Sequence, residues 1–391
     1  MRLLLCLMLL GQSVLAADVD IERLLAGMTP EEKAGQLNLM TGSMDVTGVA
    51  KSRDLLEKIR TGRCGGVFNV FTPQATRQLQ KAALSSRLKI PLLFGYDVIH
   101  GHRTIYPIPL GLSCSWNPDL IRRCAAMAAR EAAADGLNWV FSPMVDISQD
   151  ARWGRVAEGA GEDPWLASRI ARAMVEGYQG EDLAAPDRVA ACVKHFALYG
   201  AAQAGRDYHI VDMSRRAMEE TWFPPYRAAI EAGARTVMTS FNEVDGVPAT
   251  ANRWLLRDVL RDGWGFNGMV VSDYTAIEEM IAHGYSSNGR MAARQAFQAG
   301  LDMDMVSGLF ERHLPGLLKA NEITEAELDQ AVRRVLELKR DLGLFRDPFL
   351  RCDDARAKRE ILSEENRRLA REAARESIVL LKNKRNTLPL D

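Results

Sequence analysis

Residues 236–273 read TVMTSFNEVDGVPATANRWLLRDVLRDGWGFNGMVVSD, and this stretch predicts the architecture of the chain. Its two apolar runs, at 236–241 and 269–272, are typical of strands that are buried on both faces. Between them, residues 254–261 repeat apolar side chains at helical spacing. A strand, a helix and a second strand in this order predict two parallel strands joined by a helix that covers the sheet.

The same alternation extends in both directions, from about residue 30 to residue 345. Further strands are predicted at 66–70, 91–98, 139–147, 189–196 and 303–306, and further helices at 74–86, 118–134, 165–178, 214–232 and 292–299. Seven or eight such units predict an α/β protein with a (β/α)8 TIM-type barrel rather than an open sheet. No GxGxxG follows the first strand and no GxxxxGK[ST] occurs, so dinucleotide-binding and P-loop folds lack their main support.

The amino terminus has the order of a secretory signal peptide over residues 1–16. Arg2 precedes the apolar run 3–10, and small residues end at Ala16. The apolar run is shorter than the roughly 20 residues that span a bilayer. We therefore expect export to the periplasm and no stable membrane insertion once the signal has been cleaved.

The carboxyl-terminal part predicts a boundary near residue 350. The barrel is predicted over 17–350, and 351–391 is predicted as a helical linker and the start of a second domain. Amphipathic helices are expected at 324–344 and 367–381, and the charged segment 351–366 between them is typical of an exposed linker. The second domain, expected to be an α/β sandwich packed on the barrel, would lie beyond the sequence.

Composition excludes several kinds of partner. The 50 basic and 51 acidic residues give a net charge of −1, which does not favour nucleic acid or an anionic membrane. The cysteines after Cys6 are scattered, without CxxC or metal-ligand spacing, so neither a metal nor another cofactor is expected. The sequence does not decide whether Cys114 and Cys124 form a disulfide in an oxidising compartment. An uncharged small molecule is the expected ligand.

Unusual polar residues repeatedly follow the apolar runs. Asp97, Lys194, His195 and Asp273 end or follow predicted strands, and Arg155 lies in the loop that follows the run 139–147. In a barrel, the carboxyl ends of the strands form the face that carries active sites. A carboxylate held among cations stays ionised, as a nucleophile requires. The Asp, Lys and His side chains also suit hydrogen bonds to a hydroxyl-rich sugar ring. Tyr274 and Trp153 offer apolar faces to such a ring, although Trp153 also suits the core.

Structural interpretations of these residues remain open. Asp273 also suits a helix cap. Lys194 and His195 suit an ion-paired element at the barrel rim, because an unpaired charge in a strand is costly. The arginines of the loop, Arg152 and Arg155, suit a salt-bridge network with the acidic residues Glu158, Glu162 and Asp163. For one of the two arginines, this network is favoured over ligand contact.

Several motifs together resemble glycoside hydrolase family 3. Residues 265–274, GFNGMVVSDY, resemble the family's nucleophile signature; 193–196 (VKHF), 152–155 (RWGR) with 161–163 (GED), and 94–97 (FGYD) resemble its sugar-binding motifs, in the family's order. Residues 376–383, ESIVLLKN, are similar to its link to a second domain. The resemblance implies a retaining exo-acting β-glucosidase that forms a covalent glycosyl-enzyme on Asp273. It also implies sugar contacts from Asp97, Arg155, Lys194, His195 and Arg206.

Two features depart from the family pattern. Two-domain members take their general acid/base from a Glu of the second domain, which this sequence does not contain. A single-domain branch, the N-acetylglucosaminidases, uses an Asp/His pair, and Asp207 and His209 have a similar order with longer spacing. Phe241 stands where many relatives carry a tyrosine.

Other functions are weighed beside β-glucosidase. A β-xylosidase or β-N-acetylglucosaminidase of the same family would need modest changes around the ring. A barrel without its acid/base would bind glucosides with impaired turnover, especially for poor leaving groups. A Schiff-base lyase would use Lys194 as its amine, which requires a lowered pKa and leaves Asp273 and the arginine loop without a role.

Overall fold

The computed structural model describes residues 19–42 and 54–389, and its centre is a parallel β-barrel. The strands are β1 (Asn38–Thr41), β2 (Gly66–Phe68), β3 (Leu93–Tyr96), β4 (Trp139–Val140), β5 (Ala190–Phe196), β6 (Thr236–Thr239), β7 (Glu243–Val244), β8 (Val247–Pro248), β9 (Met269–Val271) and β10 (Asp304–Met305). Eight of them form one sheet in the order β10-β1-β2-β3-β4-β5-β6-β9. A parallel bridge between Val271 and Met303 joins its two ends. The predicted (β/α)8 barrel is therefore confirmed.

Helices surround this barrel. They are α1 (Ile21–Ala26), α2 (Pro30–Gln36), α3 (Leu55–Arg60), α4 (Pro73–Leu84), α5 (Pro109–Ser113), α6 (Pro118–Ala134), α7 (Pro164–Gln179), α8 (Arg215–Ala217), α9 (Pro224–Glu231), α10 (Ala276–Ala282), α11 (Gly289–Ala299), α12 (Leu309–Lys319), α13 (Glu325–Asp341), α14 (Asp354–Glu360) and α15 (Glu364–Glu376). π-helical segments occupy Met218–Trp222 and Trp254–Gly263. All seven residues of β5 are buried, as expected for a strand covered on both faces.

Strand β1 and the helix predicted at 214–232 differ from the sequence-based expectations. Strand β1 was not predicted, because its four residues, Asn-Leu-Met-Thr, contain only two apolar side chains, whereas the other strands lie in longer predicted runs. The helix predicted at 214–232 is divided into α8, a π-helical turn and α9. Pro224 begins α9, and a proline at that position cannot donate the backbone hydrogen bond that would continue the preceding helix.

The segment 351–366 is not the exposed linker that its charge predicted. Arg351 is buried and donates to the carbonyl oxygens of Leu342 and Arg188, at 3.1 and 3.0 Å. Helices α14 and α15 pack against α6. The last helix also ends at Glu376 rather than at residue 381, and the apolar side chains that follow are exposed, Leu381 at 91%. The domain boundary near residue 350 stays a prediction.

Further expectations concern the signal peptide, membrane insertion, the cysteines and metal ligands. The predicted signal peptide lies outside the described residues. Within the described ranges, no helix is both long and apolar enough to cross a membrane. Cys114 and Cys124 are free thiols, the first exposed and the second buried. No group of three or more metal-ligating side chains occurs in the part of the chain that the structure describes.

Glu131 of α6 joins the loop after β3 to the carboxyl-terminal helices. Its buried carboxylate accepts hydrogen bonds from the backbone amides of Arg103 and Thr104, at 3.0 and 2.7 Å, and from the Thr104 hydroxyl at 2.6 Å. It also accepts from the Leu362 amide and the Asn366 side chain, at 2.8 and 2.6 Å. Although burial opposes ionisation, these donors lower the pKa of Glu131 below its usual value of 4.5.

We expect Glu131→Ala to lower the free energy of unfolding by about 3 kcal/mol or more, because it leaves several buried donors without an acceptor. Urea unfolding near pH 7 measures this loss. The control is Glu372→Ala on α15, whose partly exposed ion pair with Arg123 contributes at most about 1 kcal/mol. The Glu131 contribution is present above pH 4.5 and is lost as the pH falls through the lowered pKa of the folded state. Equal losses in the two variants would contradict the central role of Glu131.

Candidate active site

A small pocket opens at the carboxyl ends of the barrel strands. It has a volume of about 120 Å³ and is lined by Phe68, Asp97, Phe141, Arg155, Lys194, His195, Met238, Asp273, Tyr274 and Met305. Except for Arg155, these residues lie within three positions of the carboxyl end of a strand, which is why the barrel brings them together. The volume is below the roughly 300–1,000 Å³ of pockets for drug-sized ligands, so the pocket is suited to a small ligand.

Asp273 follows β9 and presents a free carboxylate oxygen. Its Oδ1 accepts a hydrogen bond from the Tyr274 amide at 2.6 Å, while its buried Oδ2 has no hydrogen-bond partner among the described residues. The helix-cap interpretation is not supported, because Thr275 is the residue that precedes α10 and the Asp273 side chain accepts its one described hydrogen bond from the Tyr274 amide rather than from an amide of α10. Burial raises the pKa of Asp273 to about 6, although the positive charges of Arg155 and Lys194 oppose this shift.

Lys194 forms an ion pair across the pocket. Its Nζ lies 2.7 Å from Oδ1 of Asp97, and the lysine side chain is only 5% exposed whereas the aspartate is 37% exposed. Burial disfavours the lysine cation, but the charges of Asp97 and Glu158 raise its pKa above the usual value. Lys194 is therefore a permanent cation, and Asp97 presents a carboxylate that can accept hydrogen bonds from a ligand.

The two arginines of the loop after β4 point to different places. Arg152 is largely exposed and pairs with Asp150, its Nη2 lying 2.6 Å from Oδ2. Arg155 pairs with Glu158, its Nε lying 2.7 Å from Oε1, and its Nη2 reaches Nε2 of His195 at 2.7 Å. The Glu158 pair predicted from the sequence is thus present. Burial opposes the Arg155 cation, but Glu158 raises its pKa above the usual value.

His195 is neutral and has one defined tautomer. A guanidinium cannot accept a hydrogen bond, so Nε2 of His195 must accept from Arg155 and the ring proton must lie on Nδ1. Nδ1 then donates to Oδ2 of Asp146 at 2.9 Å. Burial, together with the charges of Arg155 and Lys194, lowers the pKa of His195 well below its usual value. The 3.6 Å contact of Nε2 with Asp273 is consequently not an ion pair.

Lys194 and His195 both line the pocket although they are neighbours on β5. Neighbouring side chains of a regular strand point to opposite faces. The pairing of β5 with β6 shifts register between Val193 and Phe196, so β5 is irregular at Lys194 and His195.

Three candidate residues lie outside the pocket lining. Arg206 and Asp207 are exposed, and His209 is partly exposed. Asp207 accepts a hydrogen bond from Nε1 of Trp153 at 2.8 Å, and the Trp153 side chain is part of the core beside Tyr199. Phe241 packs against Tyr199 and Tyr208 in the same region. The sugar contact of Arg206 and the acid/base role of Asp207 and His209 stay predictions.

Sequence reasoning missed several residues of this site. Phe68, Phe141, Met238 and Met305 give the pocket an apolar wall beside its charged groups. All four lie at or next to strand ends, so a count of every residue at those positions would have found them. Asp146 and Tyr226 lie behind His195, and no sequence signal connects these distant residues.

A parallel barrel with eight strands defines an α/β-barrel protein, and its small pocket places the Asp273 carboxylate beside the cations Arg155 and Lys194 at the carboxyl ends of the strands. The model of the glycosyl hydrolase family 3 N terminal domain matches residues 29–338. The chain therefore belongs to glycoside hydrolase family 3, as its motifs indicated.

Known proteins of this family are similar over nearly the whole chain. A periplasmic β-glucosidase of Salmonella typhimurium is 46% identical over 379 residues, which cover 96% of this chain and 49% of that protein. A β-xylosidase of Formosa agariphila is 38% identical over 80% of this chain and 46% of its own length. The crystal structure of a Listeria innocua β-glucosidase in complex with isofagomine has a TM-score of 0.90 and 44% identity, covering 95% of this chain and 52% of that one. The chain thus spans about half the length of these relatives.

Proposed function

We propose that this chain is the barrel part of a retaining, exo-acting β-glucosidase, and that Asp273 is its nucleophile. The observation that carries the proposal is the Oδ2 atom of Asp273, which is buried, lacks a hydrogen-bond partner among the described residues and faces the pocket. A carboxylate oxygen without a partner remains available to attack carbon. The cations Arg155 and Lys194 favour its ionised form.

The surrounding residues would hold the sugar ring. Asp97 would accept hydrogen bonds from hydroxyl groups, while Lys194 and Arg155 would donate to ring oxygens. His195 lies beside Arg155 at the wall of the pocket, and Tyr274 offers an aromatic face at its edge. Because the pocket is suited to a small ligand, we propose cleavage at the non-reducing end of a glucoside or oligosaccharide.

The reaction would proceed in two displacements. Oδ2 of Asp273 attacks C1 as the C1–oxygen bond breaks, and the departing oxygen takes a proton from a general acid. Water then attacks C1, gives its proton to the same group acting as base, and releases the Asp273 carboxylate. We propose that this acid/base comes from a second domain packed on the barrel, because the two carboxylates that line the pocket have other roles: Asp273 attacks C1, and Asp97 is paired with Lys194.

Glucose and export are supported by similarity. The relatives include β-glucosidases, and a solved mutant of the Listeria innocua enzyme is in complex with laminaribiose. The Salmonella typhimurium relative is named as periplasmic, which agrees with the signal peptide predicted at residues 1–16. We therefore propose a periplasmic enzyme that acts on β-D-glucosides.

Covalent trapping tests this function in the full-length protein. A 2,4-dinitrophenyl 2-deoxy-2-fluoro-β-glucoside should label Asp273, because its leaving group needs no acid and the fluorine slows hydrolysis of the intermediate. The labelling rate should rise as the pH passes about 6, where Asp273 becomes ionised. Mass spectrometry of the peptides locates the label. A label on another carboxylate, or none, would overturn the nucleophile assignment.

The alternative functions give different results in one substrate panel. Nitrophenyl xylosides or N-acetylglucosaminides cleaved faster than the glucoside would identify the related activities. A binding barrel would cleave only activated aryl glucosides and leave alkyl glucosides intact. If Asp207 is the acid/base, Asp207→Ala would lose alkyl glucoside hydrolysis while retaining activated substrates. The raised pKa of Lys194 argues against a Schiff-base lyase, which needs a neutral amine.

Lys194→Ala should lower kcat/KM by about 10- to 100-fold, with KM raised and kcat lowered, because a charged hydrogen bond to the ring strengthens in the transition state. The matched control is Lys33→Ala, which removes another buried lysine that pairs with Asp329 and Glu325 away from the pocket. That variant should lose stability but keep its kcat/KM. Steady-state kinetics and thermal unfolding of both variants check the prediction. An unchanged kcat/KM in Lys194→Ala would place this lysine in a structural role.

A further inference from the structure

Behind the pocket, three residues form a buried hydrogen-bonded group. Asp146 lies in the segment that follows β4, His195 is on β5 and Tyr226 is on α9. Oδ2 of Asp146 accepts from both the backbone amide and Nδ1 of His195, each at 2.9 Å. The Tyr226 hydroxyl lies 2.5 Å from Oδ1 of Asp146 and 2.6 Å from the backbone carbonyl oxygen of His195.

The two short contacts of the Tyr226 oxygen need two protons. Tyr226 has one hydroxyl proton, and the carbonyl of His195 has none to give. If Asp146 were ionised, one of these oxygen pairs would face each other without a proton at 2.5 or 2.6 Å. A protonated Asp146 supplies the missing proton: Oδ1 donates to the Tyr226 oxygen, and Tyr226 donates to the His195 carbonyl. Every donor and acceptor of the group is then satisfied, as buried polar groups require.

We infer that Asp146 is a positioning residue that works in its protonated, neutral form. It does not touch the sugar. It fixes the backbone and the ring of His195, so that Nε2 of His195 accepts from Arg155 and directs the guanidinium towards Asp273. The inference rests on the proposed function for its catalytic consequence, but not for the protonation state itself.

A neutral Asp146 also suits the charges of the pocket. Arg155 and Lys194 already face three carboxylates, those of Asp97, Glu158 and Asp273. A fourth buried anion next to His195 would compete for the same two cations and would favour protonation of His195. That protonation would remove the acceptor of the Arg155 hydrogen bond.

The surroundings of Asp146 favour its protonated form. Burial raises the pKa of Asp146 to about 6 against the opposing hydrogen bonds from Tyr226 and the His195 amide. Among the charged groups that act on it, Arg155 lowers the pKa and Glu158 raises it. When Asp146 donates to Tyr226, the hydrogen bond that lowers its pKa as an acceptor instead favours the protonated form. Asp146 then keeps its proton at a pH at which Asp273 is already ionised.

Infrared difference spectroscopy on the full-length protein tests the protonation state. The spectrum of the wild type minus Asp146→Asn, near pH 6, should contain the carbonyl stretching band of a protonated carboxyl group, which is well separated from carboxylate bands. A lost carboxylate band would overturn the inference. If Asp146→Asn does not fold, Tyr226→Phe takes its place: the protonated band should shift, since its acceptor has been removed, and no shift would contradict the inference.

The catalytic consequence is tested by the rate at which the fluoroglucoside labels Asp273. Asparagine reproduces the donor and acceptor of a protonated Asp146, so Asp146→Asn should retain most of the labelling rate, whereas Asp146→Ala should lose about 10- to 100-fold. The wild-type rate should decline at alkaline pH as Asp146 loses its proton, and Asp146→Asn should lack this decline. Equal losses in both variants, or an unchanged alkaline decline, would refute the positioning role. Failure of the wild type to be labelled would refute the proposed function instead, and the infrared bands would still decide the state of Asp146.

Discussion

Asp273→Ala is expected to lower kcat for glucoside hydrolysis by about 10⁴-fold or more, because Asp273 forms the bond to C1 in the proposed mechanism. The fold should be unaffected. The side chain makes a single described hydrogen bond, to the amide of its neighbour Tyr274, and its removal relieves the cost of a buried charge. Steady-state kinetics with a nitrophenyl glucoside, together with thermal unfolding, separates the loss of chemistry from loss of structure.

Azide makes this prediction more specific. In the alanine variant, azide can enter the space left by the carboxylate and displace an activated phenolate from C1 with inversion. The product should then be the α-glucosyl azide, and the rate should recover as azide is added. Replacement of an acid/base residue would instead give the β-glucosyl azide after double displacement. Full activity of Asp273→Ala without azide, or a β product, would exclude Asp273 as nucleophile.

Arg155→Ala is expected to lower kcat/KM by about 10²- to 10³-fold, the effect of removing one charged donor that is aimed at the reacting centre. It should also raise the pKa of Asp273, since the positive charge of Arg155 holds that pKa down. The acidic limb of the pH profile should therefore move to higher pH, and labelling by the fluoroglucoside at pH 6 should slow more than labelling at pH 7.5.

The chain offers a matched control three residues earlier. Arg152 lies in the same loop and also pairs with an acidic side chain, that of Asp150. The Arg152 side chain is 72% exposed and does not line the pocket. Arg152→Ala should leave kcat/KM and the acidic limb unchanged. If both arginine variants lost activity equally, the effect would come from loop structure rather than from the charge at the pocket.

Much of the fold followed from local patterns. The alternation of apolar runs and amphipathic segments predicted seven of the barrel strands, and α6 was predicted with the bounds that it has, Pro118–Ala134. Strand β1 was missed, because only two apolar residues, Leu39 and Met40, stand between Asn38 and Thr41. The segment 351–366 was misassigned as an exposed linker, because part of it is anchored to the barrel: Arg351 is buried and donates to backbone carbonyl groups, and Asn366 donates to the Glu131 carboxylate.

The sequence by itself determined the barrel class, the family and the strand-end positions of Asp97, Lys194, His195 and Asp273, because strand periodicity and short motifs are properties of neighbouring residues. Only the tertiary structure decided which arginine faces the pocket, which nitrogen of His195 carries the proton, and that Asp146 lies against Tyr226. The Lys194–Asp97 and Tyr226–Asp146 bonds join residues 97 and 80 positions apart. Such contacts exist only once the strands have paired side by side, because the order β3-β4-β5 in the sheet brings together residues that are distant in the sequence.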